Sequence, residues 1–320
     1  MAVKFGVFVP QGWQMNLTEI DDPVEKFEAM TNVARQADAG GWDSIWVYDH
    51  FHTVPTPEIE TTFECWTISA TLARDTQRVK IGQMVGCNGY RNPALYAKIA
   101  STVDVASHGR LYAGIGAGWY EHEWKAYGYE WNEIPVRMGK FREAVEIINK
   151  MWTEETPTFQ GKYYTIDRPI NEPKSATGAK IPLWIGGGGE KVTLKLVARW
   201  GDACNLGGDL DTLKHKLDVL KGHCETESRN YDDIVRSTGL SAHPIGPNDD
   251  PATATASARG DKSFEEYAKN TIVGTPEQIR EEAQAKIDLG FNYFLMNFPR
   301  VAYDQETMNR FAEEVIPLFD

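Results

Sequence analysis

The sequence contains little cysteine and no long apolar run. Its 320 residues include four cysteines, Cys65, Cys87, Cys204 and Cys224, which are scattered and form no CxxC pair. This pattern excludes a disulfide framework and is typical of thiols in a reducing compartment. No stretch approaches the roughly 20 apolar residues of a membrane span, and the amino terminus lacks the features of a signal peptide. We therefore expect a cytoplasmic protein that does not bind a membrane.

The sequence also contains fewer basic than acidic residues. The chain has 33 Lys and Arg against 46 Asp and Glu, for a formal net charge of −13 at pH 7. Because no basic run stands out, binding to a nucleic-acid backbone is not expected. Hydrophobic residues make up 42% of the chain, which is enough for a sizeable core. No linker interrupts the sequence, so we expect one domain over residues 1–320.

Short apolar runs alternate with helical patterns along the chain. In the clearest helix, Arg137–Trp152, the apolar residues Phe141, Val145 and Ile148 share one face. The predicted strands are Val3–Val9, Ser44–Tyr48, Val79–Val85, Arg110–Ile115, Ile181–Ile185, Asp202–Leu206, Ile234–Ser241 and Phe291–Phe298. Eight strands alternating with helices predict an α/β fold of the closed (β/α)8 TIM-barrel type. An open, doubly wound sheet is the alternative.

Two segments depart from the alternation and predict insertions after strands four and seven. Thr153–Lys180 contains a predicted hairpin, TFQGKYYTI, and a loop with Pro, Ser and Gly. Gly246–Ser263 is rich in Ala, Thr, Pro and Asp, and we expect an irregular, mobile flap there. The last helix is predicted over Gln305–Leu318.

The loops after the strands build the active site of such a barrel, because those strand ends converge on one mouth. Gly186–Gly189 enters a helix after strand five. Unpaired backbone N–H groups and the helix dipole predict an anion site there, and a tight turn that binds nothing is the alternative. Glu190 would repel an anion unless it points away, whereas Lys191 would help.

The sequence gives weaker support for other kinds of site. His50 and His52 have a spacing that metal sites use, but the later strands end in glycines or asparagines, so no metal site is predicted. Glu121 and Glu123 are two residues apart and face different ways on a helix, which argues against paired-carboxylate catalysis. Together with His122 they are typical of a solvated helix start. Four tryptophans lie on or just after strands, and we expect some to stack on a ring system and most to be core: Trp13, Trp46, Trp119 and Trp184.

Five segments in order give the chain a family resemblance. They are KFGVFVPQ, SIWVYDHF, VKIGQMVGCNGYRNPALYAKIASTVDVASHGR, GIGAGWYEHEWKAYG and PLWIGGGGEKVTLKLVARWGDACN. The chain resembles the luciferase-like monooxygenase superfamily, in the branch that uses the deazaflavin coenzyme F420, over nearly its whole length. The resemblance implies an oxidoreductase that transfers a hydride between this coenzyme and a small organic substrate. It also implies a homodimer.

The resemblance implies a role for particular residues. His50 matches a histidine near the reacting carbon and is the candidate catalytic residue. A non-prolyl cis peptide is expected near Met84-Val85. The implied coenzyme contacts are Asp49, Met84, Val85, Ala117, Gly118, His122, Gly186, Gly187, Gly188 and Gly189. Trp13 and Trp119 are the candidate substrate-pocket residues.

The chain departs from the relatives that oxidise glucose 6-phosphate. Those enzymes carry a glutamate where this chain has Trp119 and a tryptophan near Val54, so a sugar-phosphate dehydrogenase is not expected and the proton donor is unassigned. Two alternatives stay open: an FMN-dependent monooxygenase on the same fold, and a non-catalytic protein that binds a flavin or deazaflavin. The sequence does not identify the substrate.

Overall fold

The computed structural model describes residues 2–319 and contains a closed parallel barrel. Its strands are β1 (Lys4–Phe8), β2 (Ser44–Val47), β3 (Lys80–Gln83), β4 (Leu111–Gly116), β5 (Leu183–Gly186), β6 (Ala203–Leu206), β7 (Val235–Leu240) and β8 (Tyr293–Met296). Strand β8 pairs with β1 at Tyr293 and Lys4, and the ring closes between β3 and β4 at Ile81 and Leu111. The predicted TIM barrel is confirmed, and the open-sheet alternative is wrong.

The strands are short and almost completely buried because both of their faces are covered. The inward face carries a cluster that fills the barrel, in which the rings of Trp46 and Trp184 lie 4.7 Å apart and both contact Tyr293. The outward face packs on the helices. Trp46 and Trp184 are therefore core residues.

The helices surround this barrel. Helix α1 begins after Asp22, whose carboxylate accepts hydrogen bonds from the backbone N–H groups of Val24 and Glu25. The α-helices are α1 (Pro23–Ala39), α2 (Cys65–Asp75), α3 (Pro93–Ala106), α4 (Glu121–Ala126), α5 (Ile134–Thr153), α6 (Thr193–Trp200), α7 (Leu210–Thr226), α8 (Pro251–Ala254), α9 (Ala256–Arg259), α10 (Phe264–Ala268), α11 (Pro276–Asp288) and α12 (Glu306–Arg310).

The third strand is interrupted at the mouth of the barrel. The peptide bond between Met84 and Val85 is cis, as the resemblance predicts, and parallel pairing with β4 resumes at Gly86–Cys87. The side chain of Val85 then packs against Gly116 and Gly186, where a Cβ atom would come within 2.7 Å of it. Glycines at these two strand ends therefore allow the interrupted strand to fit closely.

Several predicted elements differ from those in the structure. The hairpin is present, with Thr158–Gln160 antiparallel to Thr165–Asp167. The prediction of an irregular Gly246–Ser263 is wrong in part, because capping by Asp250 starts the short helix α8 at Pro251 and α9 follows after Thr255. The last helical segment is present over nearly the predicted residues, but it changes from α-helical turns in α12 to a π-helical turn after Arg310 and then to a 3-10 turn.

Within residues 2–319, no helix is long and apolar enough to cross a membrane. The four cysteines are buried and unpaired.

Candidate functional site

A cavity of about 510 Å³ opens at the carboxyl ends of the strands. It is formed by the loops after β1 to β5 together with single residues of β6, β7 and β8. Most of the predicted site residues line it, namely Trp13, Asp49, His50, Met84, Val85, Ala117, Gly118, Trp119, Gly186 and Gly187. Residues from five separate strand ends therefore meet at one place.

Asp49 lies two residues after the end of β2 and is held by a buried ion pair. Arg91 donates to both carboxylate oxygens of Asp49, at 2.5 and 3.0 Å, and the backbone N–H of Cys87 donates to Oδ2 at 2.7 Å. Arg91 also donates to Glu64 at 2.5 Å. Burial lowers the pKa of Arg91, but Asp49 outweighs this effect and the pKa is raised overall. These contacts fix Asp49 against the cavity wall.

His50 is held from behind by a buried carboxylate. Its Nδ1 lies 2.9 Å from Oε2 of Glu123, and its ring is part of the cavity wall. Glu123 is 0% exposed and also accepts hydrogen bonds from the hydroxyl of Tyr90 (2.6 Å) and from the backbone N–H groups of Phe51 (2.5 Å) and His52 (3.2 Å). Burial raises the pKa of Glu123, but these donors outweigh it, so the pKa lies below its ordinary value of 4.5.

A carboxylate with a lowered pKa is ionised at neutral pH and can only accept hydrogen bonds. The proton of a neutral His50 ring therefore lies on Nδ1, and Nε2 carries a lone pair. Within the described chain, Nε2 of His50 has no protein hydrogen-bond partner. The arrangement leaves one imidazole nitrogen able to accept or return a proton at the cavity.

The sequence interpretation of Glu123 as part of a solvated helix start is wrong. Glu121 is exposed and pairs with Lys125, as expected, but Glu123 faces the protein interior. A signal for this was present, because Tyr120 and Tyr127, three residues before and four residues after Glu123, place it on the aromatic side of the helix. Arg91 was also missed, since its partner lies 42 residues away in sequence.

Aromatic rings surround His50 on the cavity side. The ring of Trp13 is stacked on His50 with centroids 5.0 Å apart, and Trp119 and Tyr120 meet the imidazole edge-on at 6.0 and 6.3 Å. Gln11 fixes the loop that carries Trp13, because its side chain bonds to both backbone groups of Tyr48. The neighbourhood of the free imidazole nitrogen is thus largely apolar.

The tetraglycine turn lies at the other side of the cavity. Gly186 and Gly187 line it, and the backbone N–H groups of Gly188 and Gly189 donate to no protein acceptor in the part of the chain that the structure describes. Glu190 points away, towards Lys216 and His215, and the hydrogen bond from Lys216 lowers the pKa of Glu190. The repulsion that Glu190 would exert on an anion is therefore largely neutralised.

Three predicted residues do not line the cavity. His122 is exposed on α4, one residue from the buried Glu123, and its Nδ1 lies 3.4 Å from Nε2 of His52. Consecutive helical residues differ by about 100° in direction, so Glu123 and His122 cannot both face inwards. Gly188 and Gly189 lie farther along the turn, outside the cavity lining. Within residues 2–319 no group of three or more His, Cys, Asp or Glu residues is placed to hold a metal ion.

Comparison with known proteins identifies the family. The family model described as luciferase-like monooxygenase matches residues 3–262. The chain belongs to the luciferase-like monooxygenase family. One relative is an F420-dependent glucose-6-phosphate dehydrogenase from Amycolatopsis mediterranei (strain U-32). It is 27% identical to this chain over 324 residues, and the match covers 90% of this chain and 93% of the relative.

Solved structures have the same fold as this family member. An F420-dependent secondary alcohol dehydrogenase in complex with an F420-acetone adduct has a TM-score of 0.78 at 22% identity, with 100% of both chains covered. A type II Baeyer-Villiger monooxygenase from Pseudomonas putida, in complex with FMN, has a TM-score of 0.78 at 17% identity, with 99% of both chains covered. Both likenesses show the barrel fold of the luciferase-like family.

Proposed function

We propose that this chain is an F420-dependent oxidoreductase that transfers a hydride between the deazaflavin and a small organic substrate. The observation that carries the proposal is the cavity in which Asp49, the Met84-Val85 bulge, the glycines after β4 and β5, and the His50–Glu123 pair meet. Curated relatives named as F420-dependent enzymes support the choice of coenzyme. When bound, the coenzyme supplies the hydride acceptor or donor at C5 of its ring.

The residues present fit such a group. A Cβ atom at Gly187 would have no neighbour closer than 3.7 Å, and at Gly239 none closer than 4.0 Å, so both glycines leave open space at the cavity. This space would take a flat ring system. The unpaired N–H groups of Gly188 and Gly189 would bind the phosphate of its side chain, with Lys216 close beside Gly188.

The roles of the protein groups follow from these contacts. Asp49, Met84, Val85, Ala117 and Gly118 would hold the ring. His50 would accept the proton of a substrate hydroxyl at Nε2 during oxidation and return it to a carbonyl oxygen during reduction. Glu123 would hold the imidazole in the required tautomer and stabilise it when protonated. Trp13 and Trp119 would line the substrate pocket and exclude water.

Coenzyme titration tests this proposal directly. We expect the purified protein to bind F420, followed by the fluorescence of the deazaflavin, and to bind FMN more weakly. His50→Ala should lower turnover by about 100-fold or more while coenzyme affinity changes little. An unchanged rate in this variant would remove His50 from the mechanism, and tight FMN binding without F420 binding would refute the choice of coenzyme.

An FMN-dependent monooxygenase is the second candidate, supported by the FMN-bound structure with the same fold. A monooxygenase consumes oxygen during turnover, whereas hydride transfer from a deazaflavin does not. Oxygen uptake measured with an electrode therefore separates the two functions. If neither coenzyme supports turnover of any ketone, imine, nitroaromatic compound or alcohol, a non-catalytic binding protein would be favoured.

Four further properties stay predictions. They are a single domain over residues 1–320, a cytoplasmic location, a role of His122 in coenzyme binding and a homodimer. Light scattering of the purified protein tests the homodimer, and the coenzyme affinity of His122→Ala tests the role of that side chain.

A further inference from the structure

Among residues 2–319, no lysine or arginine side chain lines the cavity. Among the lining residues in the described chain, Asp49 is the one with a formal charge. This composition does not suit an anionic substrate, because a phosphate or carboxylate that leaves water needs a partner of opposite charge. The glucose-6-phosphate dehydrogenases among the relatives act on a substrate that carries such a phosphate.

Three cations lie beside the cavity, and two of them are held in ion pairs. Arg91 is paired with Asp49 and Glu64. Arg137 donates to the backbone oxygen of Gly118 at 2.7 Å, and its guanidinium lies over an indole ring. Lys216 is paired with Glu190 beside the glycine turn, on the side assigned above to the coenzyme phosphate. Arg91 and Lys216 could not bind a substrate anion near His50 without breaking an existing ion pair. Arg137 has an Nε without a hydrogen-bond partner in the described chain, but it lies behind Gly118 and does not line the cavity.

The surface around His50 is aromatic instead. Trp13 is stacked on the imidazole, and Trp119 and Tyr120 stand edge-on to it. The side chain of Trp119 lines the cavity although the residue is 63% exposed, which is unusual for an indole at the entrance to a pocket. An apolar ligand beside His50 would remove part of this indole from water, which favours binding.

From these observations we propose that the substrate is an uncharged, largely apolar alcohol, or the matching carbonyl compound, bound against Trp13 and Trp119 beside His50. The inference rests on the proposed function and specifies its substrate class. In the oxidation, the carbinol C–H bond breaks and its hydride, with two electrons, passes to the oxidised coenzyme. The hydroxyl proton passes to Nε2 of His50 as the C=O bond forms, so the substrate is oxidised and the coenzyme reduced.

A matched pair of ligands tests the charge preference. 1-Phenylethanol and mandelate differ by a methyl group in place of a carboxylate, and acetophenone and benzoylformate are the corresponding carbonyl compounds. We expect kcat/KM for 1-phenylethanol to exceed that for mandelate and for glucose 6-phosphate by about 100-fold or more. Dissociation constants of the two carbonyl compounds, measured by quenching of tryptophan fluorescence with and without F420, should show the same preference.

The variant Trp119→Ala tests the aromatic contact. It should weaken acetophenone binding by about 10-fold and leave coenzyme affinity nearly unchanged. Ile134→Ala is the matched control, because Ile134 is 64% exposed and does not line the cavity. We expect this control to behave as the parent protein does.

Binding of benzoylformate or glucose 6-phosphate as tight as that of acetophenone would overturn the inference, as would a Trp119→Ala variant that matches Ile134→Ala. Failure of the proposed function gives a different result, namely no change in deazaflavin fluorescence in the coenzyme titration. Because the ligand measurements are also made without coenzyme, the two failures can be told apart.

Discussion

Replacing Glu123 by Gln should reverse the tautomer of His50 without removing the side chain that holds it. In the native protein the carboxylate accepts from Nδ1 of His50 at 2.9 Å and from the hydroxyl of Tyr90 at 2.6 Å, both at Oε2. In the Glu123→Gln variant, the amide oxygen would keep the hydrogen bonds from the backbone N–H groups of Phe51 and His52. The NH2 group would then face the imidazole of His50. Nδ1 then has to accept, and the proton of the ring moves to Nε2, on the side of the ring away from residue 123.

The size of the effect follows from these contacts. A hydrogen bond to a charged group contributes about 1.5–3 kcal/mol and a neutral one about 1 kcal/mol, so weakening the two bonds at Oε2 should cost about 2 kcal/mol of stability. The effect on the reaction is larger. With Nε2 already protonated, His50 cannot accept the hydroxyl proton, and alcohol oxidation should slow by about 100- to 10,000-fold.

Stopped-flow measurement of coenzyme reduction by 1-phenylethanol, together with urea unfolding, checks both values. Glu121→Gln is the control, because Glu121 lies on the same helix, is exposed, and contacts Lys125 alone among charged groups. We expect its rate and stability to match those of the parent. A Glu123→Gln protein that folds and oxidises the alcohol at the parental rate would refute the assignment of His50 as proton acceptor.

Three other perturbations test separate parts of the site. Asp49→Asn removes the buried one of the two carboxylates that pair with Arg91, so it should cost about 3 kcal/mol in urea unfolding and weaken coenzyme binding. Glu60→Gln, which breaks an ion pair away from the cavity, should leave coenzyme affinity unchanged. Gly187→Ala, at φ +111°, should weaken F420 binding by about 10-fold in the fluorescence titration, and Gly178→Ala, at φ +75° with no neighbour within 4 Å, should leave it unchanged. The pKa of Glu123 is lowered from 4.5 in the folded protein, so its ionised form stabilises the fold above pH 4.5. This stabilisation is lost as the pH falls through the lower pKa of the folded state. Urea unfolding at neutral and acidic pH should therefore show a larger decrease in the free energy of unfolding for the parent than for Glu123→Gln.

The barrel could be predicted from the sequence because its signals are local. A buried strand such as Ser44–Val47 shows an apolar run, and a helix such as Pro276–Asp288 has a capping box at Thr275 that defines its start. The strand ends then follow from the fold, and the resemblance placed Asp49, His50 and the Met84-Val85 bond correctly at one mouth. The helix that begins at Pro251 and the change to a π-helical turn after Arg310 were not predicted, because a cap or a π-helical turn depends on a few contacts.

The polar network behind His50 could not be predicted in the same way. Glu123 lies 73 residues from His50, and no local pattern states that its carboxylate will be enclosed by two backbone N–H groups and a tyrosine. A carboxylate is usually exposed, and the neighbouring Glu121 is. Only the aromatic spacing around position 123 distinguishes these two residues, and its meaning depends on which face of α4 packs against the barrel.

The two carboxylates at this mouth differ in what balances their charge. Asp49 is paired with Arg91, a cation that keeps its proton throughout the accessible pH range, so the pair carries no net charge through any reaction step. Glu123 is stabilised mainly by neutral donors, and the one partner that can become a cation is His50. A proton that arrives at Nε2 of His50 therefore gains an attraction to Glu123 that Asp49 cannot provide. We therefore expect proton transfer at this site to depend on Glu123, and Asp49 to affect the reaction through the placement of the coenzyme.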